Sequence, residues 1–200
     1  DLNGSLHDGN YSLTVSNDFG SVVTSSIQVE VNSTRTFHLV SSAANLPMIL
    51  IKGETFTMGQ AGVATPEHNV TLTHDFFIGQ HEVTQSQYRS VMLGNNRALS
   101  ATPSTGVYRG NKPVVNVSCN DVQIFLSRLN TREQEHGNLG NGWKYTLPTE
   151  AEWEYACRAG SSTSYAWGND INSSKANYDA GSGLIENVGQ YPPNNWGLHD

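Results

Sequence analysis

The sequence predicts an α+β protein with a large share of irregular coil. Three stretches begin with the polar pattern of a helix N-terminal capping box and continue with apolar residues at helical spacing, which predicts three short helices. Alternating apolar residues in the N-terminal part of the chain predict β-strands. The chain is also rich in glycine, asparagine, serine and threonine, and this composition favours turns over long regular elements.

The first 31 residues predict two strands joined by a turn. Alternating apolar residues within 10–16 and 21–31 indicate the strands. The run Asp8-Gly9-Asn10-Tyr11 resembles the signature that precedes the last two strands of immunoglobulin-like domains, with Leu13 where those domains place a cysteine. Because such a sandwich has about seven strands, this segment is interpreted as the C-terminal strands of a partial immunoglobulin-like domain.

A linker and a second domain are expected to follow. Residues 32–45 are rich in small polar residues without an apolar period, which is typical of a linker. The second domain is expected over residues 46–200, with a long loop at 95–112. Its strands are expected at 48–51, 55–59, 66–72 and 76–79.

Each predicted helix has a start signal. The predicted N-caps and their capping-box partners are Thr84 with Gln87, Ser118 with Asp121, and Thr149 with Glu152. Helical spacing predicts which side chains of the first two helices are buried, the second helix ending at about Thr131. These side chains are Tyr88, Val91 and Met92, then Val122, Phe125, Leu126 and Leu129.

The third helix is expected over residues 150–159. Trp153, Ala156 and Cys157 are spaced by three and four residues, so they are expected to share one buried face. Gly160 is expected to take the left-handed conformation that closes the last turn.

The composition restricts the class of partner. The formal charge of −7 at pH 7 offers no basic patch, so nucleic acid is not expected as a partner. The longest apolar run, 46–51, is far shorter than the about 20 residues that span a bilayer. Cys119 and Cys157 are too few for a disulfide scaffold and are expected to be free, buried thiols.

No pattern of residues identifies a catalytic centre or a cofactor-binding site. His68, His74 and His81 are spaced by six and seven residues, which fits no helical zinc motif, so they are interpreted as surface histidines of strands. The three glutamates of the third helix are expected to serve capping and an exposed helix face rather than acid catalysis.

The run from Leu147 to Gly160, L-P-T-E-A-E-W-E-Y-A-C-R-A-G, closely resembles the formylglycine-generating, or sulfatase-modifying factor, family. Further stretches resemble motifs of the same family. They are E-V-T-Q-S-Q-Y at 82–88, P-V-V-N-V-S at 113–118, Y-A-W-G at 165–168, A-N-Y at 176–178 and V-G-Q-Y-P-P-N-N-W-G-L-H-D at 188–200. The resemblance implies a coil-rich formylglycine-generating-enzyme fold, related to that of C-type lectins, over residues 46–200.

The resemblance also implies a fragment, truncated before its catalytic part, of an oxygen-dependent, oxidoreductase-like enzyme that oxidises a cysteine or a related substrate. In the family, two closely spaced cysteines bind copper(I), and they lie beyond the position that Asp200 matches. Cys119 and Cys157 do not correspond to them. No catalytic residue is therefore expected in this chain, and copper only in an absent C-terminal part. Cys157 matches a family cysteine that pairs, in secreted animal enzymes, with a cysteine of that part.

Other functions stay open. The alternative is a non-catalytic extracellular module for ligand binding or adhesion, because lectin-like relatives use the same scaffold to bind. A structural spacer of a surface protein is a third interpretation. The chain is expected to be secreted or at a cell surface of bacterial type, with a protein or peptide substrate or a surface ligand as its partner.

Calcium is the one cofactor that the resemblance implies for this chain, as a structural ion held by oxygen ligands. Asn177 and the Tyr178 carbonyl match ligands of one family site, Asp179 adds a carboxylate, and Asp200 matches the first ligand of a second site. An Asx-turn at Asn177 and Asp179 is the competing interpretation. Because tight binding needs about six to eight oxygens, we expect weak binding at Asn177 and none measurable at Asp200.

Overall fold

The computed structural model of the chain describes residues 9–11, 14–17, 20–23, 27–29, 36–40, 45–94, 99–104, 109–140, 142–178 and 184–200. Within these ranges there are nine strands in small antiparallel sheets, three helices and long stretches of coil. The predicted mixture of helices and small sheets is therefore confirmed. No helix among these residues is long and apolar enough to cross a membrane.

Four short strands near the N-terminal end form two antiparallel ribbons. They are β1 (Gly9–Tyr11) paired with β4 (Ile27–Val29), and β2 (Thr14–Asn17) paired with β3 (Gly20–Val23). The described parts of the two predicted strands pair antiparallel. Asp8 and Leu13, on which the immunoglobulin-like interpretation depends, lie outside the described residues, so that interpretation stays a prediction.

A three-stranded antiparallel sheet has the order β5-β6-β9. Its strands are β5 (Thr36–Val40), β6 (Asn45–Ile51) and β9 (Phe76–Gly79). The expectation of a coil linker is wrong for residues 36–40, which pair with β6 along their whole length. The alternating run T-F-H-L-V is short, and the small polar residues around it conceal its period. The division of the chain into domains stays a prediction.

A separate ribbon consists of β7 (Thr55–Gln60) and β8 (Ala64–Thr71). The turn before β7 passes close to the 72–75 segment. The Gly53 amide donates to the Asp75 carboxylate at 3.0 Å, and the Lys52 ammonium lies 2.7 Å from the same carboxylate. A Cβ on Gly53 would lie 2.5 Å from the carbonyl oxygen of His74 and 2.6 Å from that of Leu72. The close approach of the two backbone segments therefore requires glycine.

The three helices begin where the sequence predicts. They are α1 (Gln85–Met92), α2 (Cys119–Glu135) and α3 (Glu150–Arg158). Thr84, Ser118 and Thr149 are their N-caps, and each makes both bonds of a capping box, so these predictions are confirmed. α2 continues past the predicted end at Thr131, and its buried Glu133 accepts a bond from the Asn138 side chain at 2.8 Å.

α1 and α2 pack together through an apolar cluster. Its buried members are Leu46, Tyr88, Val91, Met92, Phe125 and Leu129. The rings of Tyr88 and Phe125 are stacked with centroids 5.3 Å apart. The inward residues predicted for α1 are therefore confirmed, together with Phe125 and Leu129 of α2.

Two arginines of α2 bind the C-terminal end of α1. Arg128 donates to the backbone carbonyls of Val91 and Leu93, each at 2.9 Å. Arg132 donates to the carbonyl of Ser90 at 3.2 Å. α2 thus satisfies acceptors that the last turn of a helix leaves without intrahelical partners.

The buried face of α3 differs from the predicted one. Trp153 is 59% exposed and Cys157 is exposed, whereas Tyr155 is only 6% exposed. The Tyr155 ring lies 5.0 Å from the ring of Phe56 and 4.8 Å from that of Trp196. Contacts with distant aromatic residues decide which face is buried, and the helical spacing of Trp153 and Cys157 does not reveal them.

Two further expectations about this part of the chain need correction. Cys119 and Cys157 are both exposed residues, so the expectation of buried cysteines is wrong, whereas both are free as expected. Gly160 has a positive φ of 80° as predicted, but the left-handed backbone begins one residue earlier, at Ala159 with φ 47°. An alanine in the left-handed conformation lowers the stability of the fold by about 1 kcal/mol. Burial of the Ala159 methyl group offsets part of that loss.

An ion pair attaches α3 to the ribbon. Glu154, which the sequence assigned to an exposed face, accepts the Gly59 amide at 2.8 Å and the Arg158 Nε at 2.8 Å. Arg158 in turn donates to the Gly59 carbonyl at 2.6 Å. Both backbone groups of Gly59 are therefore bound to side chains of α3.

Candidate functional site

An open cleft of about 520 Å³ lies beside α3, and we call it the apolar cleft. Side chains of α1, α2, α3 and the coil segments around them contribute to its lining. The lining includes Tyr88, Phe125, Leu147, Trp153, Cys157 and Trp167. The cleft therefore borders buried residues of the α1–α2 cluster.

Large apolar side chains of the cleft are accessible to water. Trp153 is 59% exposed, Leu147 is 50% exposed and Tyr165 is 39% exposed. Burial of such apolar side chains against another molecule or another segment would be favourable in water. The sequence did not predict the cleft, because its spacing places Trp153 inside the helix packing.

Asn194 fixes the turn at 194–198 to the C-terminal end of α3. Its Nδ2 donates to the carbonyl of Ala156 at 2.8 Å and to that of Cys157 at 3.2 Å. Its Oδ1 accepts the amides of Trp196 at 3.0 Å and Leu198 at 3.2 Å. The Asn194 side chain thus positions both the Trp196 ring, which packs on Tyr155, and Leu198, which lines the cleft.

The apolar cleft has a polar end at Glu82 and Asp200. Both residues also line a second cavity of about 550 Å³, which we call the acidic cavity. Burial raises the pKa of the Glu82 carboxyl, and the negative charge of Asp200 raises it further. The Asp200 carboxylate accepts the amides of Gly189 and Tyr191, the latter at 3.2 Å, so its position is fixed by the backbone.

Three of the four residues predicted for calcium line the acidic cavity. They are Asn177, Tyr178 and Asp200, joined there by Glu82 and Glu186. The sequence assigned Asn177 and Asp200 to different sites, whereas here they line one cavity; Asp179 lies outside the described residues.

The oxygen atoms suit calcium by type, but among the described residues no three acidic, histidine or cysteine side chains form a group that could hold a metal ion. Asn177 donates its Nδ2 to the Leu184 carbonyl at 2.9 Å, so only its Oδ1 could be a ligand.

We expect calcium to bind this chain weakly, and Asn177→Ala to reduce the binding further, because the substitution removes one of few neutral oxygen ligands. Titration calorimetry with calcium chloride measures both. Asn187→Ala is the matched control, since Asn187 is another amide that lines the acidic cavity. Equal heats for the parent chain and Asn177→Ala would remove Asn177 from the site.

The described residues do not fit a copper site built from two neighbouring cysteines. Cys157 lines the apolar cleft, whereas Cys119 is the first residue of α2, and both are free. Although Cys157 is exposed, the atoms around its sulfur reduce its hydration and raise the pKa of the thiol. A raised pKa leaves less of the thiolate that binds metals and attacks substrates.

The three histidines considered in the sequence make separate contacts. The Nδ1 of His68 is 3.0 Å from the Pro66 carbonyl, and that of His81 is 2.8 Å from the Glu82 carbonyl. His74 lies 3.4 Å from the Glu152 carboxylate at the N-terminal end of α3. Glu152 itself completes the capping box of Thr149.

The chain is similar in sequence to several known proteins. The family model of the sulfatase-modifying factor enzyme 1-like domain matches residues 36–200. The formylglycine-generating enzyme of Mus musculus is 30% identical over 121 residues, which are 53% of this chain and 29% of the relative. The serine/threonine-protein kinase pkn1 of Chlamydia pneumoniae is 28% identical over 175 residues, which are 76% of this chain and 26% of the relative.

A chaperone protein and a solved structure are also similar. The chaperone protein LppX of Paenibacillus barcinonensis is 31% identical over 140 residues, 56% of this chain and 45% of the relative. The structure of PvdO from Pseudomonas aeruginosa matches with a TM-score of 0.68 and 25% identity, over 86% of this chain and 72% of that one. The chain spans less than half the length of these curated relatives.

Proposed function

The chain belongs to the family of sulfatase-modifying factor enzyme 1-like domains, and from this premise we propose that it is the N-terminal part of a longer domain that oxidises a cysteine or a related substrate. The relatives named formylglycine-generating enzyme support this choice of reaction. In this proposal the remaining part of the domain supplies the paired cysteines and their copper. The present chain supplies the scaffold on which that part packs.

The apolar cleft is the observation that carries the proposal. A cleft of about 520 Å³ that reaches the α1–α2 cluster and exposes Trp153 and Leu147 is unfavourable in water. Filling it with the remaining part of the domain would join that part to the existing cluster. The match to the structural neighbour PvdO covers 72% of that chain, so PvdO has residues beyond the matched part.

The residues of this chain have a structural role in the proposal. Asn194 and the Glu154–Arg158 pair hold α3 in place, and α3 presents Trp153 and Cys157 to the cleft. Precise placement of this surface matters, because a catalytic site built on a loose scaffold loses its geometry. The copper, when bound by the remaining part, would supply the activation of oxygen.

We expect the 200-residue chain alone to produce no formylglycine from a cysteine-containing peptide, since its two cysteines are separate and the Cys157 thiol has a raised pKa. Mass spectrometry of the peptide after incubation with copper and oxygen measures this. The positive comparison is the same chain extended by the downstream codons of its gene. We expect formylglycine from the extended protein and none from the 200-residue chain.

Two outcomes contradict the proposal. Formylglycine made by the 200-residue chain would show that the chemistry lies in this part. An extended protein that has no paired cysteines and makes no product would favour the alternative, a ligand-binding or adhesion module.

A further inference from the structure

A fully buried carboxyl group lies in the last turn of α2. Glu133 is 0% exposed. Its Oε2 accepts the Nδ2 of Asn138 at 2.8 Å, but its Oε1 has no hydrogen-bond partner among the described residues. No lysine, arginine or histidine of the described ranges forms an ion pair with Glu133. One oxygen of this carboxyl group therefore loses its hydration on folding and gains no bond from the chain in return.

The Oε1 atom needs a partner, because a buried polar atom without a hydrogen bond is costly and rare in folded proteins. A hard metal cation would need about six oxygen ligands. In the part of the chain that the structure describes, no three acidic, histidine or cysteine side chains form such a group. A buried water molecule needs only about two to four polar partners. The site therefore fits water better than a metal ion.

Tyr145 supplies the second partner. Asn130 lies three residues before Glu133, so the two side chains are neighbours on one face of α2. The Asn130 side chain donates to the Tyr145 carbonyl at 2.8 Å and accepts the Tyr145 amide at 2.7 Å. Tyr145 is thus fixed beside the face that carries Glu133. Burial raises the pKa of the Tyr145 hydroxyl to about 12, and the negative charge of Glu133 contributes to this rise.

We propose that the Glu133 Oε1 and the Tyr145 hydroxyl bind one buried water molecule, which fixes the coil segments 136–140 and 142–145 on α2. The water donates one hydrogen to Oε1, and its oxygen accepts the hydroxyl hydrogen of Tyr145. Tyr145, Thr146 and Leu147 line the apolar cleft, so the same water stabilises that edge of the cleft. The water site is independent of the proposed oxidation, because all of its residues lie in this chain.

A high-resolution crystal structure of the 200-residue chain locates the water directly. We expect one density peak within hydrogen-bond distance of both the Glu133 Oε1 and the Tyr145 hydroxyl. Soaking the crystals in rubidium chloride distinguishes water from a monovalent cation, because rubidium gives a strong anomalous signal. The absence of a peak at Oε1, or an anomalous peak there, would overturn the proposal.

Magnetic relaxation dispersion of the solvent counts long-lived bound water molecules in solution. Glu133→Met has a side chain of similar length without carboxyl oxygens, and it should lose about one such water. Glu133→Gln should keep the water, because its amide oxygen still accepts. Glu135→Met is the matched control at an exposed position of the same helix, and it should also keep the water.

Tyr145→Phe tests the site from its other side, and it decides the question if circular dichroism shows that Glu133→Met does not fold. It removes the second partner and should lose the same long-lived water. We also expect the backbone amides of 144–147 to exchange faster in both variants than in Glu135→Met. A folded Glu133→Met or Tyr145→Phe that retains the dispersion of the parent chain would contradict the proposal.

Discussion

Gly53→Ala is expected to lower the free energy of unfolding by about 3 kcal/mol or more, because the new methyl group meets backbone rather than a flexible side chain. It would lie 2.5 Å from the His74 carbonyl oxygen and 2.6 Å from that of Leu72. If the 72–75 segment moves away from the new methyl group, the hydrogen bond from the Gly53 amide to the Asp75 carboxylate lengthens. Urea unfolding followed by circular dichroism measures the change.

Gly62→Ala is the control for this substitution. Gly62 has a φ of 74°, yet a Cβ there would have nothing within 4 Å. Gly62→Ala should therefore lower the free energy of unfolding by about 1 kcal/mol, which is the cost of an alanine in the left-handed backbone conformation. Equal destabilisation by both substitutions would contradict the requirement for glycine at position 53, because Gly53 has no left-handed φ and only the close approach of the backbone distinguishes it from other positions.

Asn194→Asp is expected to destabilise the protein by about 3 kcal/mol, although the two side chains have nearly the same shape. The substitution replaces the Nδ2 donor with a carboxylate oxygen that faces the carbonyl oxygens of Ala156 and Cys157. Two hydrogen bonds are lost and two repulsive contacts replace them. We also expect the loss to decrease on acidification, since a protonated aspartate can donate again.

Asn195→Asp is the matched control, because it introduces the same charge at the next, exposed position. It should change the midpoint of thermal unfolding little, within the range of surface substitutions. A similar loss of stability in both variants would attribute the effect to net charge and not to the bonds of Asn194.

Elements set by neighbouring residues could be predicted from the sequence. The N-caps Thr84, Ser118 and Thr149 are correct because a capping box involves side chains only three residues apart. The inward face of α1 is also correct, since an amphipathic pattern needs no knowledge of the partner. The family followed from fourteen consecutive letters, L-P-T-E-A-E-W-E-Y-A-C-R-A-G, and the match over residues 36–200 confirms it.

Features set by distant residues could not be predicted. The buried side of α3 depends on Phe56 and Trp196, which lie far from Tyr155 in the sequence. The apolar cleft could not be predicted either, because its lining depends on which face of α3 is buried. Asn194 belongs to a family-like motif, but nothing in the motif shows that its amide binds the end of α3.

The bonds from Arg128 and Arg132 to the end of α1 have a consequence for folding. α1 has eight residues, and an isolated helix shorter than about 12 residues does not persist in water. Its nucleation must therefore wait until α2 offers both an apolar face and donors for the carbonyls of Ser90, Val91 and Leu93. We therefore expect the two helices to form a single cooperative unit, in which local opening of α2 exposes the amide groups of α1 to exchange with solvent.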